Sequence, residues 1–277
     1  MASGKAISLF LIDGTPDGII ACEILNWTGK GYRIPKNKLK NASDRSELKK
    51  AGIYFLIGRD ENDNECVYIG ESEEVLKRIF QHQEKDFWSE ALAFISKDEN
   101  LNKAHVKFLE YRLYIQAKDA KRYKIINDNT PTEPAISEAD QAVMLEFSKN
   151  LQLLVGTMGY KIFEKLIESN HSNQDRYYIS ATRGAHAEGM ITSEGFVVLK
   201  NSKIATTEVP SITISFKNKR NKLTSEGIIK DWIFTQDYLF SSPSTAAAIV
   251  MGRNANGLAE WKKKDGSTIN DNLAKEE

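Results

Sequence analysis

Two tyrosines hold matched places in one short stretch of the chain, GIYFLIGRDENDNECVYIG from Gly52 to Gly70. Tyr54 follows Gly52-Ile53, and Tyr68 precedes Ile69-Gly70. Strand alternation puts Tyr54, Leu56 and Gly58 on one face and Ile53, Phe55 and Ile57 on the other. A hairpin through Asp63-Asn64 brings both phenols toward one end of a sheet. The next segment, EEVLKRIFQH, has helical spacing with Val75, Leu76, Ile79 and Phe80 inward, and places Arg78 and His82 at i and i+4 on one face. Further on, Leu109, Leu113 and Ala117 form the buried stripe of a longer helix, with Glu110 at its border. A phenol, with a pKa of about 10, is a poor base at neutral pH unless a cation lowers it. Arg78, permanently charged, suits both holding a phosphate and shifting a nearby phenol. Hydrolysis of a phosphodiester needs those two services and help for the leaving oxygen.

The elements that position these residues can be read in order. Ile7–Ile12 and Ile19–Leu25 are strand patterns separated by the turn formers DGTPDG. GKGYRIPKNKLK carries Lys30, Arg33, Lys36, Lys38 and Lys40 without an acid. It reads either as a solvated loop entering a short helix or as a phosphate-contacting edge with Tyr32 as a stacking partner. Ser43 or Asp44 caps a short helix to Lys50. Ala91–Ser96 is a third strand preceded by a core Trp88, and Asp98 or Asn100 opens the long helix through Ala117. Ile125-Ile126 starts an exit strand. Ser137–Leu153 is an amphipathic helix with Ser137 and Asp140 placed as in a capping box. A second helix follows at Tyr160–Ile167, and the polar run ESNHSNQD marks a domain boundary. Beyond it come short strands, Tyr177–Ser180, Ala185–Ile191 and Phe196–Leu199. SITISFKNKRNKLTSEG is read as a helix ending at Gly227, with a basic cluster of Lys217, Lys219, Arg220 and Lys222. Ser242-Pro243 opens a helix that Gly252 ends. Asn256-Gly257 and Asp265-Gly266 read as turns around a short strand with Trp261.

A length of 277 residues accommodates two domains, and the formal net charge of zero announces no polyanion partner by itself. Cys22 and Cys66 lack metal-type spacing and read as buried, reduced thiols of a cytoplasmic protein. No run reaches transmembrane length, and the N-terminal apolar run is too short for a signal peptide. His171 and His186 have no recognisable partners and are taken as structural. No zinc cluster or phosphate-binding glycine loop stands out.

The two tyrosine triplets, followed in order by Arg78, His82, Glu110 and Asn129, resemble the GIY-YIG nuclease family over roughly Lys50 to Pro131. The resemblance implies a small antiparallel three-stranded sheet flanked by helices, and one divalent metal, Mg²⁺ or Mn²⁺, held by Glu110. It assigns Tyr54 to accept the proton of the attacking water and Tyr68 to orient water or phosphate. Arg78 holds the phosphate, and His82 shuttles a proton or contacts phosphate. Asn129 anchors the nucleic-acid backbone, with Asn127 an alternative for that place. Lys107 shares the face of Glu110 and is either a phosphate contact or a solvated charge. The stretches EGFVVLKNS, DYLFSSPSTAAAIVMGR and NANGLAEWK, within about Tyr177 to Trp261, resemble a domain of unknown function that often follows GIY-YIG modules.

The expectation is an α+β protein: a nuclease domain over 1–132 with an N-terminal strand extension (core 50–131), a helical connector and linker over 133–175, a C-terminal α+β domain over 176–265 and a frayed tail over 266–277. Its expected activity is metal-dependent endonuclease cleavage of DNA in preference to RNA. Lys36, Lys38, Lys40, Lys107, Lys217, Lys219, Arg220 and Lys222 are the candidate nucleic-acid contacts, and no membrane is involved. Two alternatives stand beside it. One is a non-cutting nucleic-acid-binding module, and the other a nuclease regulated by a ligand- or partner-sensing C-terminal domain. A homodimer, or a protein partner of the C-terminal domain, is compatible with either.

Overall fold

The computed structural model describes residues 4–166 and 176–274 and divides into two compact units, Met1–Lys165 and Leu166–Glu277. The boundary segment ESNHSNQD, with His171, lies outside the described residues.

The first unit runs β1 (Ile7–Leu11), β2 (Ile20–Ile24), β3 (Gly29–Pro35), two 3₁₀ segments (Lys36–Asp44 and Ser46–Lys49), β4 (Gly52–Arg59), β5 (Glu65–Ser72), α1 (Val75–Gln81), β6 (Trp88–Ser96), α2 (Lys103–Ala120), β7 (Lys124–Ile125) and α3 (Glu138–Thr157). Its sheet has seven strands in the order β1-β2-β3-β6-β4-β5-β7. Only β5 and β7 pair in parallel. This corrects the three-stranded expectation. The β6-β4-β5 set forms the centre, and β3 continues the sheet along the outer edge of β6 from Gly29↔Ser96 to Pro35↔Glu90. GKGYRIP is therefore a strand, with Tyr32 and Ile34 buried on one face. The Tyr32 hydroxyl bonds Glu47, so this ring is core and not a stacking surface.

Alternation along β4 builds both sides of the sheet. Ile53, Phe55 and Ile57 pack with Val67, Ile69, Leu92 and Phe94 beneath Val106, Leu109 and Leu113 of α2. Tyr54 and Leu56 pack with Ala91, Ala93 and Ile95 beneath Val75, Leu76 and Ile79 of α1 and Leu39 and Leu48 of the 3₁₀ segments. Helix α2 is capped by Asn102, whose side chain accepts from His105 N–H; Asp98 instead bonds Ser96 and Asn100 in the preceding turn.

Helix α3 begins at Ser137, whose hydroxyl accepts from Asp140 N–H at 3.1 Å. Its Met144, Phe147, Leu151 and Leu154 belong to the same core as β4, and Phe147 meets Trp27 with ring centroids 4.9 Å apart. Residues 133–165 are thus part of the first unit and not a separate connector, because the apolar stripe of α3 covers sheet surface that α2 leaves open. Tyr160 to Leu166 forms no helix.

The second unit comprises β8 (Arg176–Ala181), β9 (Ala185–Thr192), β10 (Gly195–Val198), α4 (Ile214–Ser225), β11 (Ile229–Lys230), β12 (Ile233–Phe234), β13 (Tyr238–Phe240), α5 (Pro243–Met251), α6 (Gly257–Glu260) and α7 (Ile269–Leu273). Four antiparallel strands lie in the order β13-β10-β9-β8, and β11 pairs with β12. Helix α5 is buried from Ala246 to Met251; Ser242 caps it, and Gly252, at φ 63°, ends it. Asn256 caps α6 and does not turn a hairpin. The tail expected to fray carries α7, closed by a Thr268–Asp271 capping box and anchored by buried Ile269.

Among the described residues no helix is long and apolar enough to cross a membrane. Cys22 and Cys66 are unpaired and buried, and burial pushes the Cys22 thiol up to about 12.

Candidate active site

The β4–β5 ladder pairs Tyr54 with Gly70 and Leu56 with Tyr68, which puts the two phenols diagonally on one face. Their rings stack at 6.0 Å between centroids. Each glycine of the two triplets has a steric reason. A Cβ on Gly70 would lie 2.5 Å from the Tyr54 Cζ and hydroxyl, so the phenol lies directly over that residue. A Cβ on Gly52 would lie 2.2 Å from the Phe94 carbonyl across the β4–β6 ladder.

Helix α1 presents Arg78 and then His82, its C-terminal cap, to the same place. His82 is buried, and its Nε2 lies 3.0 Å from the Tyr54 hydroxyl. Its ring centroid is 5.0 Å from that of Tyr68. The Trp88 indole N–H donates to the His82 carbonyl at 2.8 Å and fixes the helix end. Arg78 interacts with both phenols while its Nη1 donates to Gln81 at 2.7 Å. Four of the sequence-predicted residues, Tyr54, Tyr68, Arg78 and His82, are thus together.

The electrostatics differ from the sequence expectation. Burial raises the Tyr54 pKa far above that of an ordinary phenol; Tyr68 adds to the rise, and Arg78 opposes it without reversing it. Arg78 alone does not make Tyr54 a ready base. Burial, together with the Lys85 and Arg78 charges, lowers His82 to about 4, so its imidazole is neutral. Both members of the hydrogen-bonded pair carry no charge at neutral pH. His82 Nδ1 is buried without a hydrogen-bond partner.

Glu110 reaches from α2 to the edge of β5, where the Glu71 N–H donates to its carboxylate. Burial, reinforced by the Glu71 carboxylate, raises Glu110 to about 7, against the pull of Lys103 and Lys107. Glu71 itself pairs with Lys103 at 2.9 Å. An open cleft of about 400 Å³ runs from Glu71 and Lys103 to Arg78. No group of three or more His, Cys, Asp or Glu suited to a metal occurs among the described residues. The donors present are the hard carboxylate oxygens of Glu110 and Glu71, the latter paired with Lys103. That set fits Mg²⁺ or Mn²⁺ bound through one or two carboxylates with water completing the shell.

Asn129 is exposed, whereas Asn127 takes a structural role. Asn127 Oδ1 accepts from Ile69 N–H at 3.0 Å, and its Nδ2 donates to the Ile69 carbonyl at 2.6 Å. Parallel pairing with β7 ends at Val67, so Asn127 and then Glu110 continue the edge of β5 by side chain. Among the cations, Lys36 Nζ donates to the Lys85 carbonyl and lies 4.9 Å from the Trp88 ring, beside the site. Lys85, which the sequence reading missed, lies 5.5 Å over the ring of Tyr68. Lys40 and Lys107 are exposed, and Lys38 acts on Asp17.

The fold divides the expected α4 cluster, with Arg220 turned to the core and the three lysines outside it. Arg220 is buried, donating to the Ile249 and Ala205 carbonyls and pairing with Glu208 at 3.0 Å. Lys219 lies 5.2 Å over the Tyr238 ring, and Lys222 pairs with Glu226 at 3.7 Å. Lys217 and Lys222 are exposed. Phe216, Arg220 and Leu223 lie at i, i+4 and i+7, a spacing that marks Arg220 as facing the core.

These observations describe a mixed α+β protein of two units, the first with a polar constellation at one end of its central hairpin. Residues 177–273 match the family model described as Domain of unknown function (DUF4357), the kind of C-terminal domain that the sequence led us to expect. No curated protein and no solved structure matches the chain.

Proposed function

We propose that the first unit is a phosphodiesterase of the GIY-YIG type that cuts DNA with one divalent metal ion. The observation that supports it most is the meeting of Tyr54, Tyr68, Arg78 and His82 around a 3.0 Å phenol–imidazole hydrogen bond. Arg78 holds a phosphate entering the cleft beside it and neutralises its oxygens. Tyr54 takes the proton of the attacking water while its own proton passes to His82 Nε2. The negative phosphate favours the imidazolium that results, offsetting the burial that keeps His82 neutral in the free protein. Tyr68 orients the water. Glu110 would hold the cation, with Glu71 close by. A divalent ion there would supply charge stabilisation at the departing oxygen.

The test is nicking of supercoiled plasmid in Mg²⁺ or Mn²⁺ by wild type, Tyr54→Phe and Glu110→Ala. Metal-dependent nicking lost in both variants supports the reading. Absence of cleavage by the folded wild type, on plasmid, single strands, branched DNA and RNA alike, overturns it. A second reading, a module that grips nucleic acid without cutting, draws support from the raised Tyr54 pKa and the sparse carboxylate set. It predicts binding without metal-dependent cleavage.

A further inference from the structure

The second unit holds a basic cleft built on the run Lys262–Lys264, which the sequence reading did not single out. About 580 Å³ in volume, it opens between the edge strand β8, the end of α5 and the segment after α6. Its charged lining is Arg253, Lys262, Lys263 and Lys264 against a single acid, Glu260. Glu260 is already paired with Arg253 at 2.7 Å, which leaves the charges of three consecutive lysines in excess. In a chain of zero net charge that is a strong local bias.

The lysines are carried on fixed backbone. Trp261, fully buried, donates its indole N–H to the Pro243 carbonyl at 3.0 Å and packs on Phe196 at 4.5 Å. Lys262 exchanges both backbone hydrogen bonds with Tyr178, at 2.7 and 3.0 Å, and Lys263 N–H donates to the Ser267 carbonyl at 2.7 Å. The ammonium groups also sit among aromatic rings: Lys263 lies 5.6 Å from the Tyr177 centroid and Lys264 5.9 Å from that of Tyr178. Tyr178 itself lines the cleft, as does the Ser180 hydroxyl. Cations in one cleft with the Tyr178 ring and a hydroxyl in its lining suit a single nucleic-acid strand: charge for its phosphates and an aromatic group for a base.

We infer that the cleft formed by β8 and Lys262–Lys264 binds the sugar-phosphate backbone of a single nucleic-acid strand, and that α4 does not. This site is independent of the nuclease reading, since nothing in it depends on cleavage by the first unit.

The experiment uses the full chain and a fluorescent oligonucleotide, titrated by anisotropy at several salt concentrations. Single-stranded DNA, duplex DNA and single-stranded RNA are compared. The variant Lys262→Glu/Lys263→Glu/Lys264→Glu is expected to lose at least about tenfold in affinity for single strands. The slope of log affinity against log salt should flatten by about 2, the share of three strand phosphates. The triple Lys→Arg variant should bind as wild type does, which separates charge from folding. Lys217→Glu/Lys222→Glu should bind unchanged. An unaltered slope in the folded triple-glutamate variant overturns the inference. So does a preference for duplex.

Discussion

The Tyr54 hydroxyl and His82 Nε2 lie 3.0 Å apart, joining the third residue of β4 to the cap of the helix that follows the hairpin. Because His82 is lowered to about 4, it binds no proton in the folded state over a range where the unfolded imidazole, at about 6.5, does. The unfolded state then takes up more protons, so stability rises with pH between these values and is fully present above about 6.5. We expect wild type to lose stability between pH 6.5 and 4, and His82→Gln to lack this part of the loss. Thermal melts at several pH values check it. A wild-type-to-variant difference that does not shrink on acidification would count against a neutral, buried His82.

Glu110 carries the opposite sign. Its folded pKa of about 7 exceeds the ordinary 4.5, so the folded state binds the extra proton and loses stability as pH rises from about 4.5 to 7. Glu110→Gln should therefore melt higher than wild type at pH 8 in a chelator, and the advantage should vanish near pH 4.5. Added Mg²⁺ or Mn²⁺ should stabilise wild type at pH 8 and leave the variant unmoved. If the glutamine variant melts lower at pH 8, the burial and Glu71 repulsion assigned to Glu110 are wrong.

What the sequence disclosed, and what it hid, follows from how local each feature is. The tyrosine faces of β4 and β5 were legible because a short hairpin fixes them by alternation alone. Arg78 and His82 were legible because one helical turn relates them. The β3–β6 pairing joins residues far apart in the chain, and GKGYRIP looks polar and loop-like until Tyr32 is known to be covered. The amphipathic face of α3 was visible, but not the sheet surface it covers. The Tyr54 phenol was read from its neighbour Arg78, whereas its surroundings, which sequence does not give, decide its pKa. Lys262–Lys264 form a plain run; only folding sets Tyr177 and Tyr178 beside them.

Asn127 and Asn129 stand two residues apart and are separated by their hydrogen bonds. Asn127→Ala removes both bonds to Ile69 and leaves a partly buried strand edge unmet, which should cost about 1–3 kcal/mol. Asn129→Ala, at an exposed position, should change stability by less than about 0.5 kcal/mol. Urea titrations of the two variants decide it. Equal midpoints would remove the edge-holding role from Asn127.

Gly70 is required for space, because the Tyr54 ring occupies the volume a side chain would need. Gly70→Ala sets a methyl 2.5 Å from the Tyr54 Cζ and hydroxyl, in a contact that must be relieved by a shift of the phenol that bonds His82 or of the strand beneath it. The cost of such overpacking is about 1–3 kcal/mol, and any activity that needs the phenol–imidazole pair should fall with it. Truncating the ring makes room, so in a Tyr54→Ala background the same methyl should cost much less. A double-mutant cycle in urea measures that coupling directly. Simple additivity of the two losses would mean that the methyl is accommodated elsewhere, and that the glycine of the second triplet serves some purpose other than seating Tyr54.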